Sequence, residues 1–160
     1  MPEAGDDFPE TTSGERDLLL RWLKFLRGAV IRKAEGVSDS DAHWRPNGRL
    51  ISLVGIVTHL TNVEWRWIEG GMLGEQVSRS EEEFQSAGQS IDAAIAAYRE
   101  RHARTDAIVM SLPSLTEPCR GWDGGGKDLR WVLLHLINET ARHAGHADAV
   151  RELLDGLTGE

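Results

Sequence analysis

Hydrophobic residues recur every three or four positions in four long segments of the chain. The segments cover residues 12–34, 51–69, 88–111 and 128–154, and glycine, proline and serine clusters separate them. This spacing places apolar side chains on one face of an α-helix, whereas no segment alternates with the period of two that a half-buried strand requires. The pattern predicts an all-α domain built from four amphipathic helices.

Local sequence signals support the ends of these helices. Residues 12–15 and 86–89 have the form of capping boxes before the first and third helices. Asp128 is a predicted N-cap of the fourth helix, and Gly70-Gly71 with Gly74 predict the end of the second.

Two polar residues, Glu139 and His143, interrupt the apolar face of the fourth helix. The surrounding stripe consists of Val132, Leu136, Ala147, Val150 and Leu154. One helical turn separates the two side chains by about 6 Å, so both can reach a single ion. A carboxylate in a core is costly unless it is paired, hydrogen-bonded or bound to a metal. We therefore interpret Glu139 and His143 as candidate metal ligands.

A third candidate ligand, His59, borders the apolar stripe of the second helix. That stripe consists of Leu53, Ile56, Leu60, Val63 and Trp67. Two imidazoles and one carboxylate suit zinc, nickel or iron, and three protein ligands leave coordination positions open. An open position indicates chemistry or reversible ligand binding.

Other histidines leave alternatives open. His135 lies eight residues before His143, which is about 12 Å along the helix, so His135 is better placed to orient a ligand or to pack in the core. His146 lies near Glu139 in angle, and spacing alone does not exclude it as a ligand. His102 also faces the core. Without a metal, Glu139 would pair with a buried arginine and the histidines would be hydrogen-bonded core residues.

The composition limits the classes of function. The 160 residues suit one domain over 12–160 after a flexible lead over 1–11. A net charge of −8 without a basic stripe argues against nucleic-acid binding. No signal segment or membrane-spanning apolar run is present, which predicts a cytoplasmic protein. Cys119 is alone, so the sequence predicts neither a disulfide framework nor a cysteine-based zinc cluster.

A glycine-rich loop before the fourth helix matches G-x-x-x-x-G-K at Gly121, Gly126 and Lys127. Asp128 stands where a phosphate-binding loop needs serine or threonine, and no apolar strand precedes the loop. We therefore interpret the glycines as turn and cap residues.

Two segments of the sequence, each containing candidate metal ligands, resemble the DinB-like superfamily of metal-binding four-helix bundles. They are Val-Thr-His-Leu-Thr-Asn-Val-Glu around His59, and Leu-Leu-His-Leu-Ile-Asn-Glu-Thr-Ala-Arg-His-Ala-Gly-His in the fourth helix. That family takes one histidine ligand from helix two and two ligands, four residues apart, from helix four, which His59, Glu139 and His143 match. With glutamate at position 139, the chain is similar to the mycothiol-dependent maleylpyruvate isomerase branch, which has glutamate at that place. This similarity favours His143 over His146 as the second imidazole ligand.

The resemblance implies an up-down-down-up bundle, a homodimer, and one divalent ion per chain such as zinc or nickel. It also implies a metal-dependent thiol transferase or isomerase, in which the ion binds mycothiol or another low-molecular-weight thiol and presents it to a small-molecule electrophile. The alternative is a non-catalytic metal-binding stress or interaction protein. The candidate substrate contacts are Trp44, Arg45, Trp122 and Arg142.

Overall fold

The computed structural model describes residues 7–11, 14–79, 88–121 and 125–158. Within these ranges the α-helices are, in chain order, α1 Glu15–Ala34, α2 Asp39–His43, α3 Leu53–Trp65, α4 Ile91–Ser111 and α5 Leu129–Asp155. The described residues form no strand beyond an isolated bridge between Pro118 and Asp128, so the predicted all-α class is confirmed. In the same part of the chain, no helix combines the length and apolarity needed to cross a membrane.

The helix starts follow from side chains that accept hydrogen bonds from otherwise unpaired backbone N–H groups. The predicted cap Asp128 accepts from the Trp131 N–H at 2.9 Å. Ser90 accepts from the Ala93 N–H, so α4 begins three residues later than the sequence predicted. Each proposed capping box, at 12–15 and at 86–89, has its first two residues outside the described part of the chain. The short helix α2 was not predicted, because five residues are too few to display a repeat.

The second predicted helix does not end at Gly70-Gly71. Its backbone continues as a π-helix over Arg66–Met72, and the helix ends just before Gly74, the other glycine of the predicted end, whose φ is +76°. The loop before α5 packs against this segment: the backbone N–H groups of Arg120 and Gly121 both donate to the Gly71 carbonyl oxygen. A Cβ at position 121 would lie 2.1 Å from the Gly70 carbonyl oxygen. Close backbone packing therefore explains the first glycine of the G-x-x-x-x-G-K match.

Ion pairs between helices give the relative helix directions. Glu15 pairs with Arg130 and Lys33 pairs with Asp148, so α1 and α5 run parallel. Arg16 on α1 donates to the Leu112 carbonyl oxygen just after α4, which makes α4 antiparallel to α1.

The direction of α3 follows from two contacts with other helices. Trp67 packs against Trp131 near the start of α5. His59, earlier on α3, lies beside His143 further along α5. The helix α3 is therefore antiparallel to α5, and the four long helices have the order up, down, down, up.

The core consists of two apolar clusters, one around Val54, Leu60 and Tyr98 and the other around Leu23, Leu133 and Leu136. Polar side chains lie where each long helix passes from one cluster to the other. They are Arg27 on α1, His59 and Glu64 on α3, His102 and Thr105 on α4, and Glu139, Thr140 and His143 on α5. The bundle thus has a polar layer across its middle.

One half of the polar layer is an ion-pair network around Arg27. The Arg27 guanidinium donates to both oxygens of Glu64 at 2.7 and 2.8 Å and to Asp106 at 2.9 Å. Arg27 and Glu64 are each 2% exposed, whereas Asp106 is 41% exposed. Two buried charges need each other, since either one alone would be costly in this core.

His102, in the same polar layer, makes the free energy of unfolding depend on pH. Its Nε2 atom is buried without a hydrogen-bond partner among the described residues, and burial, together with the positive charge of Arg27, lowers the pKa of His102 to about 2. An unfolded chain binds the proton near pH 6.5, so the free energy of unfolding falls as the pH drops below that value.

We expect His102→Gln to remove this contribution. Between pH 7 and pH 5 the wild-type chain should lose about 2 kcal/mol more than the variant, because His102 stays neutral only in the folded state. Urea unfolding of both proteins at the two pH values measures the difference. Equal losses in both proteins would show that the His102 ring is solvated in the folded state.

Candidate metal centre

The structure brings together the three side chains that the sequence indicated as ligands. The Glu139 Oε2 atom lies 3.6 Å from His59 Nε2 and 3.7 Å from His143 Nε2. One donor atom from each of the three residues lies within 4.8 Å of the others. Zinc binds nitrogen and oxygen ligands at about 2.0 to 2.2 Å, so donor atoms around one ion must be a few ångströms apart, as they are here.

Two antiparallel helices, α3 and α5, position these donors. Glu139 and His143 are one turn apart on α5 and project toward the same side, and His59 faces them from α3 with ring centroids 4.6 Å from His143. The side chains are 7% exposed at His59, 12% at His143 and 19% at Glu139. The cluster is therefore largely shielded from water, with Glu139 nearest to solvent.

The electrostatics of the cluster favour neutral imidazole at His143. Burial is the main cause that lowers the pKa of His143 to about 4, and the nearby His59 lowers it further, against the opposing effect of Glu139. A neutral imidazole is the form that coordinates a metal ion. At neutral pH, His143 does not have to release a proton before it can act as a ligand.

The remaining histidines of α5 lie outside the cluster. His146 is exposed, and its Nδ1 atom lies 3.4 Å from the Nδ1 atom of His143, on the opposite side of that ring from Glu139. His135 stacks on Trp131 with an interplanar angle of 13° and also contacts Trp67. His146 therefore contacts the His143 ring from behind, and His135 belongs to an aromatic group one turn before Glu139.

Among the described residues, no buried arginine pairs with Glu139. The buried Arg27 is taken by Glu64, and the arginine near Glu139 is Arg142, which is 67% exposed and 3.8 Å from Glu139 Oε1. A surface pair at that distance stabilises a carboxylate only weakly. This leaves the two imidazoles as the close partners of the Glu139 Oε2 atom.

The other predicted substrate contacts do not lie in the metal cluster. Arg45 donates to the carbonyl oxygens of Leu50 and Arg49 at 2.9 and 2.8 Å, so its guanidinium holds the loop before α3. Trp44, 38% exposed, lines a shallow surface depression beside Asp39 and Gly88. Trp122 lies outside the described residues.

Sequence reasoning missed the network of Arg27, Glu64 and Asp106. A signal was present: Arg27 occupies the apolar face of α1 between Leu23 and Val30, where a charged residue requires a buried partner. The sequence did not indicate which carboxylate would supply that partner.

Comparison with known proteins supports both the fold and the family. A crystal structure described as the conserved protein of locus from Enterococcus faecalis has a TM-score of 0.72 with this chain. The match covers 91% of this chain and 100% of that one at 13% sequence identity, so the likeness concerns the fold alone. None of the curated proteins matches the chain in sequence.

The family model described as mycothiol-S-transferase matches residues 18–156, a range that includes His59, Glu139 and His143. The match spans most of the chain and confirms the resemblance drawn from the two histidine motifs. The chain belongs to the mycothiol-S-transferase family, a DinB-like family.

Proposed function

We propose that this protein is a metal-dependent S-transferase in which His59, Glu139 and His143 hold one divalent ion, either zinc or nickel, and a low-molecular-weight thiol such as mycothiol binds there. The carrying observation is the convergence of three donor atoms within 4.8 Å in a chain of the mycothiol-S-transferase family. Two nitrogens and one oxygen are a donor set that zinc and nickel accept.

The residues of the chain have separate parts in this proposal. When bound, a divalent ion lowers the pKa of a coordinated thiol and so supplies a thiolate near neutral pH. His143 offers its Nε2 atom, while His146, 3.4 Å from the other ring nitrogen, holds the ring in one orientation and tautomer. Arg142, exposed beside Glu139, is our proposed contact for a polar group of the thiol.

The reaction follows from the absence of a well-placed nucleophile among the described residues. Cys119 is the lone cysteine; it contacts Met72, and burial raises the pKa of its thiol. A raised pKa leaves Cys119 as an unreactive thiol at neutral pH. We therefore assign the attacking sulfur to the bound low-molecular-weight thiol. It gives up its proton and bonds to an electrophilic carbon, while a leaving group departs from that carbon with its bonding electron pair and takes up the proton.

We expect mycothiol to bind directly at the cobalt-substituted centre. Because three protein ligands leave a coordination position open, the sulfur should produce an intense sulfur-to-metal charge-transfer band. The bound thiol should ionise below the roughly 8.5 of a free thiol. Absorption spectroscopy during titration with mycothiol, bacillithiol and glutathione measures both effects.

If the centre is fully loaded with cobalt and its absorption spectrum does not change with any of the three thiols, the proposed transferase function is contradicted. The second candidate, a non-catalytic metal-binding protein, would then stand. It is favoured by one observation: the donors come from α3 and α5 and are largely buried, so a bound ion would clamp two helices together.

Assembly as a homodimer is part of the proposal. The exposed Trp131 and Leu134, which are 40% and 51% exposed near the start of α5, offer apolar area for a second copy. We expect sedimentation to give a dimer, and Leu134→Glu to shift it toward monomer. A wild-type chain that stays monomeric at high concentration would remove the dimer without affecting the metal centre.

A further inference from the structure

An apolar cavity of about 200 Å³ lies beside the candidate metal centre, between the loop before α3 and the last turns of α5. Leu50 and Ile51 line it from the loop, and Val150 and Leu153 line it from α5. The cavity meets the centre at His146, which lines one wall and contacts the ring of His143.

The size and polarity of the cavity define what it can hold. The cavity is open to solvent on one side, since Leu50 is 58% and Leu153 is 65% exposed. An apolar space of about 150 Å³ is enough to hold benzene, so this volume suits one ring or a short branched chain. A polyhydroxylated thiol such as mycothiol would lose hydrogen bonds to water against such walls. The cavity therefore fits the second substrate better than the thiol.

One cation stands among the apolar walls. Arg49 is exposed and lines the cavity, and in the described part of the chain no ion pair joins it to a carboxylate. In a chain of net charge −8, an arginine without such a partner beside an apolar cavity is suited to an anionic group on a ligand.

The wall that carries Arg49 is held in place before any ligand binds. Arg45 donates to the carbonyl oxygens of Arg49 and Leu50, and Pro46, the first residue of the turn Pro46–Gly48, lines the cavity together with residues of α5. A preformed wall lowers the cost of ordering on binding.

Resting on the function proposed above, we propose that this cavity is the subsite for the electrophilic co-substrate, and that this co-substrate joins a ring-sized apolar group to a carboxylate or similar anion. Arg49 takes the anionic group, and the apolar group contacts Leu50, Ile51, Val150 and Leu153. His146 lines the wall between the apolar group and the centre, so the reacting carbon of the co-substrate extends past His146 to the sulfur of the thiol.

Benzoate is the probe for the test, and the metal-free protein is used first because the carboxylate of benzoate then has no ion to bind. We expect benzoate to shift the methyl NMR signals of Leu50, Ile51, Val150 and Leu153. Leu153→Trp should fill the cavity and weaken benzoate binding at least about tenfold. Met110→Trp is the matched control, since Met110 is 63% exposed against 65% for Leu153 and does not line the cavity.

Arg49→Met separates the charge from the apolar contact. It should weaken benzoate about tenfold while leaving the weaker binding of neutral benzyl alcohol unchanged, because only the carboxylate uses the guanidinium. The comparison of benzoate with benzyl alcohol in Arg49→Met also tests the subsite if Leu153→Trp does not fold. Equal losses for both probes would overturn the role of Arg49, and shifts confined to other methyl groups would overturn the subsite.

The metal-loaded enzyme tests the link to the reaction. Benzoate should compete with the electrophile and leave thiol binding at the cobalt centre unchanged. If the thiols leave the cobalt spectrum unaltered but benzoate still binds at Leu153, the proposed function fails and the cavity remains an apolar carboxylate site. If benzoate displaces the thiol instead, the assignment to the electrophile is wrong.

Discussion

His143→Ala should abolish stoichiometric binding of a divalent ion, with an affinity loss larger than the 10- to 100-fold typical of residues behind a ligand. The reason is geometric: His143 supplies one of three donor atoms within 4.8 Å, and Glu139 and His59 alone would leave the ion with two protein ligands. Competition titration with a chromophoric chelator and metal analysis of the purified protein measure the loss. Glu139→Ala and His59→Ala should behave alike.

Two histidines of the same helix provide matched controls. His135→Ala should retain full metal content, since His135 stacks on Trp131 away from the cluster. His146→Ala should lower affinity by about 10- to 100-fold without changing stoichiometry, because it removes the group behind His143. Full retention of metal by His143→Ala together with its loss in His146→Ala would show that the second imidazole is His146.

Arg27→Met should lower the free energy of unfolding by about 3 to 5 kcal/mol, because it leaves the Glu64 carboxylate buried without its partner. Arg27 and Glu64 are each 2% exposed and joined by two hydrogen bonds. The Asp106 carboxylate is 41% exposed and stays hydrated, so the loss of its pairing with Arg27 adds little to the change in the free energy of unfolding. Denaturant unfolding near neutral pH measures the change.

The double variant Arg27→Met/Glu64→Leu tests the cause. Replacing both charges by apolar side chains should recover much of the loss, since no uncompensated charge remains. Arg99→Met is the surface control: Arg99 pairs with Glu35 at 2.6 Å, but both are about half exposed, so the cost should be about 0 to 1 kcal/mol. A loss that small for Arg27→Met would show that water reaches Glu64.

The local pattern was sufficient for the helices, since each amphipathic segment carries its own hydrophobic face. It failed where backbone contacts between distant segments decide the outcome. Gly70 and Gly71 indicate a helix end, yet the π-helical segment through Met72 continues because the loop at Gly121 packs on it. The pairing of Arg27 with Glu64, 37 residues apart, likewise has no local signal.

The sequence by itself determined the all-α class, the cap at Asp128, and the candidate ligands on the apolar faces, because helical periodicity assigns each side chain to a face. Only the tertiary structure decided that α3 and α5 run antiparallel, which is what places His59 Nε2 3.6 Å from Glu139 Oε2. It also decided that His146 lies behind His143 and that Arg49 faces a cavity against α5. These outcomes depend on how helices distant in sequence pack together, and a one-dimensional pattern does not contain those distances.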